Sequence, residues 1–307
     1  NEQTFTAYQH NPKNPHSLIT NDVTDISPST QHDDGLWIST YYRGIEYLDI
    51  TSGQFTHYNK STVPSLPCDQ TWTVLDGGDG NLYIGHVGSG FSIFSPKDKS
   101  VKNFRNEAGN PMSLPGNDVF CIIKDANGNI WLGTNNGLAL YDAANENFIT
   151  FKNNKNDKYA TLCSRILSIR QLKDNRLWIA SELNGIAILN LKQSMFLSPE
   201  EISLEYIQEG ADSRSLSNAS ARCIFQDSFD NIWIGTWGGG INFISSKPPL
   251  FTTLSYSPIP NNENSLNNKV VSSLCMDRQG RVWIGTDGGG INVFEGEKRI
   301  AIYKKEN

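Results

Sequence analysis

Asp230–Ile244 reads DNIWIGTWGGGINFI, and fifty residues further on Gly280–Phe294 reads GRVWIGTDGGGINVF. Working outward, the same line recurs as GLWISTYYRGIEYL from Gly35, GNLYIGHVGSGFSIF from Gly80, GNIWLGTNNGLALY from Gly128 and NRLWIASELNGIAIL from Asn175. One aromatic anchors each copy: Trp37, Tyr83, Trp131, Trp178, Trp233 and Trp283, at spacings of 46, 48, 47, 55 and 50 residues. Five of the seven tryptophans share this slot, so the chain is a repeat array and its period is the first fact to explain.

Each copy reads as four short strands. The first precedes the turn, as in VFCIIKD from Val119, ARCIFQD from Ala221 and VVSSLCMD from Val270. The second carries the anchor. The third is the apolar run after the glycines, INFI from Ile241 or INVF from Ile291, and the fourth alternates, as in FTHY from Phe55, FITF from Phe148 and FTTLSY from Phe251. β-Branched and aromatic residues suit pleated strands, and Gly/Asn/Asp clusters punctuate them. SPEEISLEYI from Ser198 reads as an inserted loop leading into a strand rather than as a helix.

Four strands at this period give an all-β fold, a β-propeller of four-stranded antiparallel blades whose apolar faces are buried by stacking around an axis. The anchors should pack between blades. Ten residues before them stand Ser27, Thr73, Cys121, Ser168, Cys223 and Ser273, small as expected where inner strands converge. We read a single domain over 1–307, with modules at about 19–66, 67–115, 116–162, 163–216, 217–266 and 267–307. Residues 1–18 read as the outer strand and linker of a preceding blade, so the expectation is six modules plus one spare strand: either six blades close with that strand left over, or the stretch is cut from a longer or seven-bladed array, and the excess favours the cut. The opening NEQTFTAYQH, with neither basic start nor apolar core, reads as a mature or excised stretch.

With 26 Lys and Arg against 32 Asp and Glu, the formal charge is −6, with both signs interspersed. That balance disfavours nucleic acid and anionic lipid as partners. No apolar run approaches a membrane span, so this stretch is expected to make no membrane contact. Cys68, Cys121, Cys163, Cys223 and Cys275 show no CxxC pair and are expected to be small buried residues.

The pattern DxxGxIWIGTxGGGIxxF, followed by an aromatic strand and PxSL, resembles the two-component regulator propeller repeat. Asp227–Phe243 and Asp277–Phe294 carry it most closely, and NPHSL from Asn14, PMSL from Pro111 and NENSL from Asn262 match its tail. HDDGLW, Tyr83 and KDNRLW depart from it. The resemblance implies the periplasmic sensor region of a hybrid histidine kinase, one that meets glycan and passes a signal inward. The implied partners are an oligosaccharide or other small polar ligand and neighbouring domains of the same receptor, with homodimerisation open.

Other motifs weigh little. DANGN at Asp125 places Asp125, Asn127 and Asn129 at alternate positions, but Ile130 and Asn136 stand where a calcium loop needs glycine and glutamate, so it reads as a hairpin turn. Gly238–Gly240 and Gly288–Gly290 lead into strands without the lysine of a phosphate loop. No metal or cofactor is expected. His10, His16, His32, His57 and His86 fall in different modules without ligand spacing, and no nucleophile motif appears, so no catalytic residue is assigned. The alternatives to a non-catalytic sensor are a propeller lyase or hydrolase acting on carbohydrate, and a protein-interaction platform.

Residues that repeat build the fold, whereas loop residues that do not repeat are free to serve a ligand. At the turn between second and third strands stand Tyr41, Tyr42 and Arg43, then His86 with Val87, Asn135 and Asn136, Glu182 with Leu183, Trp237 and Asp287. Aromatic faces with planar polar groups suit a sugar. Trp237 and Tyr42 are the strongest candidates, since a large ring in a turn has no evident structural task.

Overall fold

The computed structural model describes residues 5–151, 159–191, 204–210, 215–247, 254–257, 262 and 265–304, and every element it describes among them is a strand. The first sheet joins β1 (Val23–Pro28), β2 (Gly35–Thr40), β3 (Gly44–Asp49) and β4 (Gln54–Tyr58). The second joins β5 (Thr71–Asp76), β6 (Leu82–His86), β7 (Phe91–Ser95) and β8 (Ser100–Phe104). The third holds β9 (Val119–Lys124), β10 (Ile130–Thr134), β11 (Gly137–Asp142) and β12 (Asn147–Thr150). The fourth holds β13 (Ile166–Gln171), β14 (Arg176–Ser181), β15 (Ile186–Asn190) and β16 (Leu204–Ile207). β17 (Ala221–Gln226), β18 (Ile232–Thr236) and β19 (Gly240–Ile244) form the fifth. The sixth joins β20 (Val271–Met276), β21 (Val282–Thr286), β22 (Gly290–Glu295) and β23 (Lys298–Tyr303). Neighbours pair antiparallel in chain order throughout. The fold class is therefore the all-β, bladed architecture of a propeller.

Three stretches bear on the strand expectations. Phe251–Thr253, the start of the expected fourth strand of the fifth blade, lie outside the described residues, as do 198–203 of the insertion. Residues 5–18 form no ladder; they carry an isolated parallel bridge, His10↔Leu18, of the kind seen again at Glu209↔Leu216 and Tyr256↔Leu266. What repeats at the start of the chain is thus the linker and its leucine. Leu18, Leu66, Leu114, Leu162, Leu216 and Leu266 are all buried, so each Ser-Leu or Thr-Leu linker plugs a leucine into its blade.

The chain divides into two compact units, Asn1–Ser246 and Lys247–Asn307. In the first, the innermost strands β1, β5, β9, β13 and β17 lie side by side in chain order. Apolar clusters fill the seams between them. Trp37 and Ile45 meet Val74, Ile84 and Phe94; Tyr83 and Phe91 meet Leu132 and Phe148. Trp131 and Leu138 meet Ile169 and Leu189; Trp178 and Ile188 meet Ala221 and Ile224. An aromatic that buries its full surface in such a seam contributes about 4 kcal/mol from area alone. Trp233, in the last sheet of this unit, is 40% exposed. The second unit packs Leu266, Ile284 and Phe294 beneath its own sheet.

The repeated turn aspartate has a second task besides the turn. Trp131 Nε1 donates to Asp125 at 2.9 Å, Trp233 Nε1 to Asp227 at 3.0 Å and Trp283 Nε1 to Asp277 at 2.8 Å, each six residues back. In the fourth blade Leu172 occupies that position, and Trp178 Nε1 is buried with no acceptor among the described residues. In the first blade the position is Gln31, and Trp37 Nε1 reaches across the seam to Asp76 of the second blade, 3.2 Å away.

That first blade corrects the small-residue slot. Thr73, Cys121, Ser168, Cys223 and Ser273 lie opposite Gly85, Gly133, Ala180, Gly235 and Gly285, but the residue opposite Ser39 is Asp25, not Ser27. The β1–β2 hairpin is two residues longer than its counterparts, which shifts counting from the anchor. Asp25 receives Thr73 Oγ1 at 2.6 Å and Val74 N at 3.3 Å; burial raises its carboxyl above the usual range, against the pull of those bonds. The cysteines also depart from expectation. Cys68, Cys121 and Cys163 are half-buried, and Cys223 and Cys275, on innermost strands, are exposed.

Candidate functional site

Every β2–β3-type turn is tied to the start of its own innermost strand by one backbone bond. Tyr41 N donates to Asp22 O, Val87 N to Gln70 O and Asn135 N to Asp118 O; Glu182 N donates to Arg165 O, Trp237 N to Ser220 O and Asp287 N to Val270 O. This bond fixes the first turn residue beside the point where the inner strand begins, six times over.

A β-bulge stands beside it. In each innermost strand two residues oppose one of the second strand, and the extra residue is Thr24, Trp72, Phe120, Leu167, Arg222 or Ser272. A bulge frees a side chain from the up-down alternation of the pleat and re-aims it.

Turn and bulge residues of the first unit, with Arg165 just before β13, then meet in one continuous row. Tyr42 lies against Tyr41 with centroids 4.1 Å apart, and Tyr41 meets Trp72 edge-on at 5.8 Å. Trp72 meets Phe120 at 5.6 Å, and the Arg165 guanidinium sits 5.4 Å over the Phe120 ring. Arg165 pairs with Glu182 at 3.1 Å, whose other oxygen lies 3.6 Å from Arg222, and Arg222 lies 4.4 Å over Trp237. Tyr42 and Trp237, at the two ends, are exposed at 52% and 67%. The row offers stacking faces, planar donors and a shared carboxylate; a hydrogen bond with Tyr41 raises the Tyr42 phenol above its ordinary range.

The structure thus brings together four of the residues singled out from sequence, Tyr41, Tyr42, Glu182 and Trp237. Arg43 is exposed in the same turn as Tyr42. Asp287 is exposed in the equivalent turn of the second unit. Asn135 and Asn136 are exposed in the equivalent turn of the third blade, where Asn135 Oδ1 accepts from Asp118 N at 3.3 Å and Asn136 Nδ2 donates to Pro115 O at 2.9 Å.

His86 is not at the turn. It ends β6 in the slot held elsewhere by Thr40, Thr134, Ser181, Thr236 and Thr286, whose hydroxyls donate to the carbonyl of Gly44, Gly137, Gly185, Gly240 and Gly290. Its imidazole is fully buried, 2.8 Å from Ser92 Oγ and 3.5 Å from Cys68 Sγ, and burial lowers its pKa to about 4. The turn residue of this blade is Val87. Trp72, Phe120, Arg165 and Arg222 were missed, although Trp72, Phe120 and Arg222 stand just before the small-residue slot, a position that varies from copy to copy and was legible as such.

Three stretches of the chain match one family, the two-component regulator propeller. The family of that description matches residues 113–136, 215–238 and 265–288, and the chain carries its repeats. Across 98% of its length the chain is 60% identical, with a TM-score of 0.70, to the extracellular domain of a hybrid two component system from B. thetaiotaomicron, of which it spans 36%. It is also 30% identical over 92 residues to a histidine kinase of Formosa agariphila, which is 29% of this chain and 7% of that one. A virginiamycin B lyase of Staphylococcus aureus, 17% identical with a TM-score of 0.54 over 88% of this chain and 80% of its own, shares the fold alone. Among the described residues no helix is long and apolar enough to cross a membrane.

Proposed function

We propose that this chain is a non-catalytic, extracytoplasmic ligand-sensing part of a hybrid two-component system, and that it holds an oligosaccharide along the row from Tyr42 to Trp237. The observation that carries the reading is the row itself: its residues differ from blade to blade, yet contact one another without a break. Sugar rings present C–H faces that stack on aromatics and hydroxyls that pair with guanidinium and carboxylate groups. Similarity to an extracellular domain of a hybrid two component system supports the sensing role and its position outside the cytoplasm.

Titration with short neutral and acidic oligosaccharides, followed by tryptophan fluorescence and calorimetry, tests the reading. Saturable binding is expected, weakened about tenfold in Trp237→Ala and in Arg222→Ala. Binding that both variants retain unchanged, or no binding across the panel, would overturn it. New reducing ends or unsaturated products would replace it with a carbohydrate-active enzyme.

A further inference from the structure

The opposite ends of the first two blades enclose a cavity of about 520 Å³ that the row does not use. Its apolar wall is Trp37, Tyr47 and Tyr58, with the indole 4.9 Å and 5.6 Å from the two phenol rings. The lengthened β1–β2 hairpin contributes Ser29, Gln31 and His32, and the second blade contributes Asp76, Asp79 and Asp98, with Lys97 as the one lysine or arginine of the lining. The volume lies within the range of small-molecule sites, about 300–1,000 Å³. The cavity follows from the first blade's departure from the repeat: Gln31 replaces the turn aspartate, and the indole is held from across the seam instead.

Charge narrows the occupant. Asp76 is saturated, receiving Thr30 N, Thr30 Oγ1, Gly78 N and Trp37 Nε1. Burial works against its ionised form, but those bonds prevail and keep its pKa below the usual range. Asp79 accepts from Tyr83 Oη and Asn81 N, and Asp98 from Ser95 Oγ, which leaves lone pairs on both. Neither is in an ion pair with a described lysine or arginine. Asp34 and Asp49 add negative potential at Tyr47, whose phenol is raised by burial first and by those two carboxylates second. Ring faces carry negative quadrupole density, so three aromatics beside free carboxylates favour a cation over a neutral or anionic guest.

We propose that this interblade cavity binds a ring-bearing primary amine, an amino sugar in chemical class, with its ammonium toward Asp79 and Asp98 and its ring against the Trp37–Tyr47–Tyr58 wall. The site stands apart from the Tyr42–Trp237 row, so either can fail without the other.

Glucosamine, N-acetylglucosamine and glucose share the ring and differ in charge, which makes them the probes. Calorimetric titration of the whole chain should show saturable binding of glucosamine, at least about tenfold tighter than of the two neutral sugars. Asp98→Asn and Asp79→Asn should each weaken glucosamine severalfold, and Lys97→Met, at the cavity rim, should tighten it. Trp237→Ala should leave it unchanged. Equal binding of all three sugars, no glucosamine binding, or indifference to both Asp98→Asn and Lys97→Met would overturn the assignment. Asp98 and Lys97 lie in an exposed turn, so these two variants keep the test valid if Asp79→Asn fails to fold.

Discussion

Replacing Asp125 with alanine should destabilise the third blade chiefly by stranding one indole N–H. The Asp125 carboxylate is 4% exposed and collects Asn127 N, Asn129 N, Asn129 Nδ2 and Trp131 Nε1, all at 2.8–2.9 Å. Asn127 is exposed and Asn129 half-exposed, so their donors recover water when the carboxylate goes. Trp131 is 3% exposed, and its N–H does not. An orphaned buried donor costs about 1–3 kcal/mol and the lost charge-assisted turn bonds about 1 kcal/mol more, for a total of about 3 kcal/mol. In a Trp131→Phe background the donor is already gone, and the same substitution should cost about 1 kcal/mol. The double-mutant cycle therefore predicts a coupling of about 2 kcal/mol. The assay is equilibrium urea unfolding of the four proteins, with unchanged m-values as the check that the unfolded reference is common. Additivity within about 0.5 kcal/mol would refute the reasoning. Blade four supplies an internal control, since Trp178 already lacks an acceptor among the described residues. Trp178→Phe should cost less than Trp131→Phe.

Acidification tests the His86 assignment. Its folded pKa, about 4, lies below the ordinary histidine value, so the unfolded chain binds the proton first. Stability is then complete above about pH 6.5 and falls by roughly 3 kcal/mol on the way to pH 4, and a neutral replacement such as His86→Gln should flatten that slope in denaturation curves. Asp227 and Asp277 are held at about 2, first by the bond from the anchor indole; their stabilisation is present above the ordinary carboxylate range and is lost as pH falls toward 2, which carboxyl chemical shifts in a pH titration would follow. Two glycines separate strain from clash. Gly88→Ala meets open space at φ +75° and should cost about 1 kcal/mol. Gly90→Ala would set a Cβ 2.1 Å from Phe104 O at φ +80° and should cost over about 3 kcal/mol by the same unfolding assay.

What the sequence made legible was whatever recurs. The anchor spacing identified the blades, and the linkers quoted from Asn14, Pro111 and Asn262 each end in a leucine that proves buried. Counting from the anchor failed in the first blade because a longer hairpin moved Asp25 into the place assigned to Ser27. In the site, Tyr41, Tyr42, Glu182 and Trp237 were found because turns advertise themselves with glycine. Trp72, Phe120 and Arg222 were not, because a bulge is a property of pairing between two strands. Counting along one strand places those side chains by simple alternation and misses that they are extra. His86 was misplaced by one residue, since a strand-end threonine and a first turn residue look alike until the backbone bond to the inner strand is known.

The bulge has an engineering consequence. A side chain that opposes no partner in the ladder can be exchanged without breaking a backbone pair on either side. Trp72, Phe120 and Arg222 are therefore three dials on an otherwise fixed chassis, and randomising them together should yield folded proteins with altered ligand preference far more often than randomising their strand neighbours.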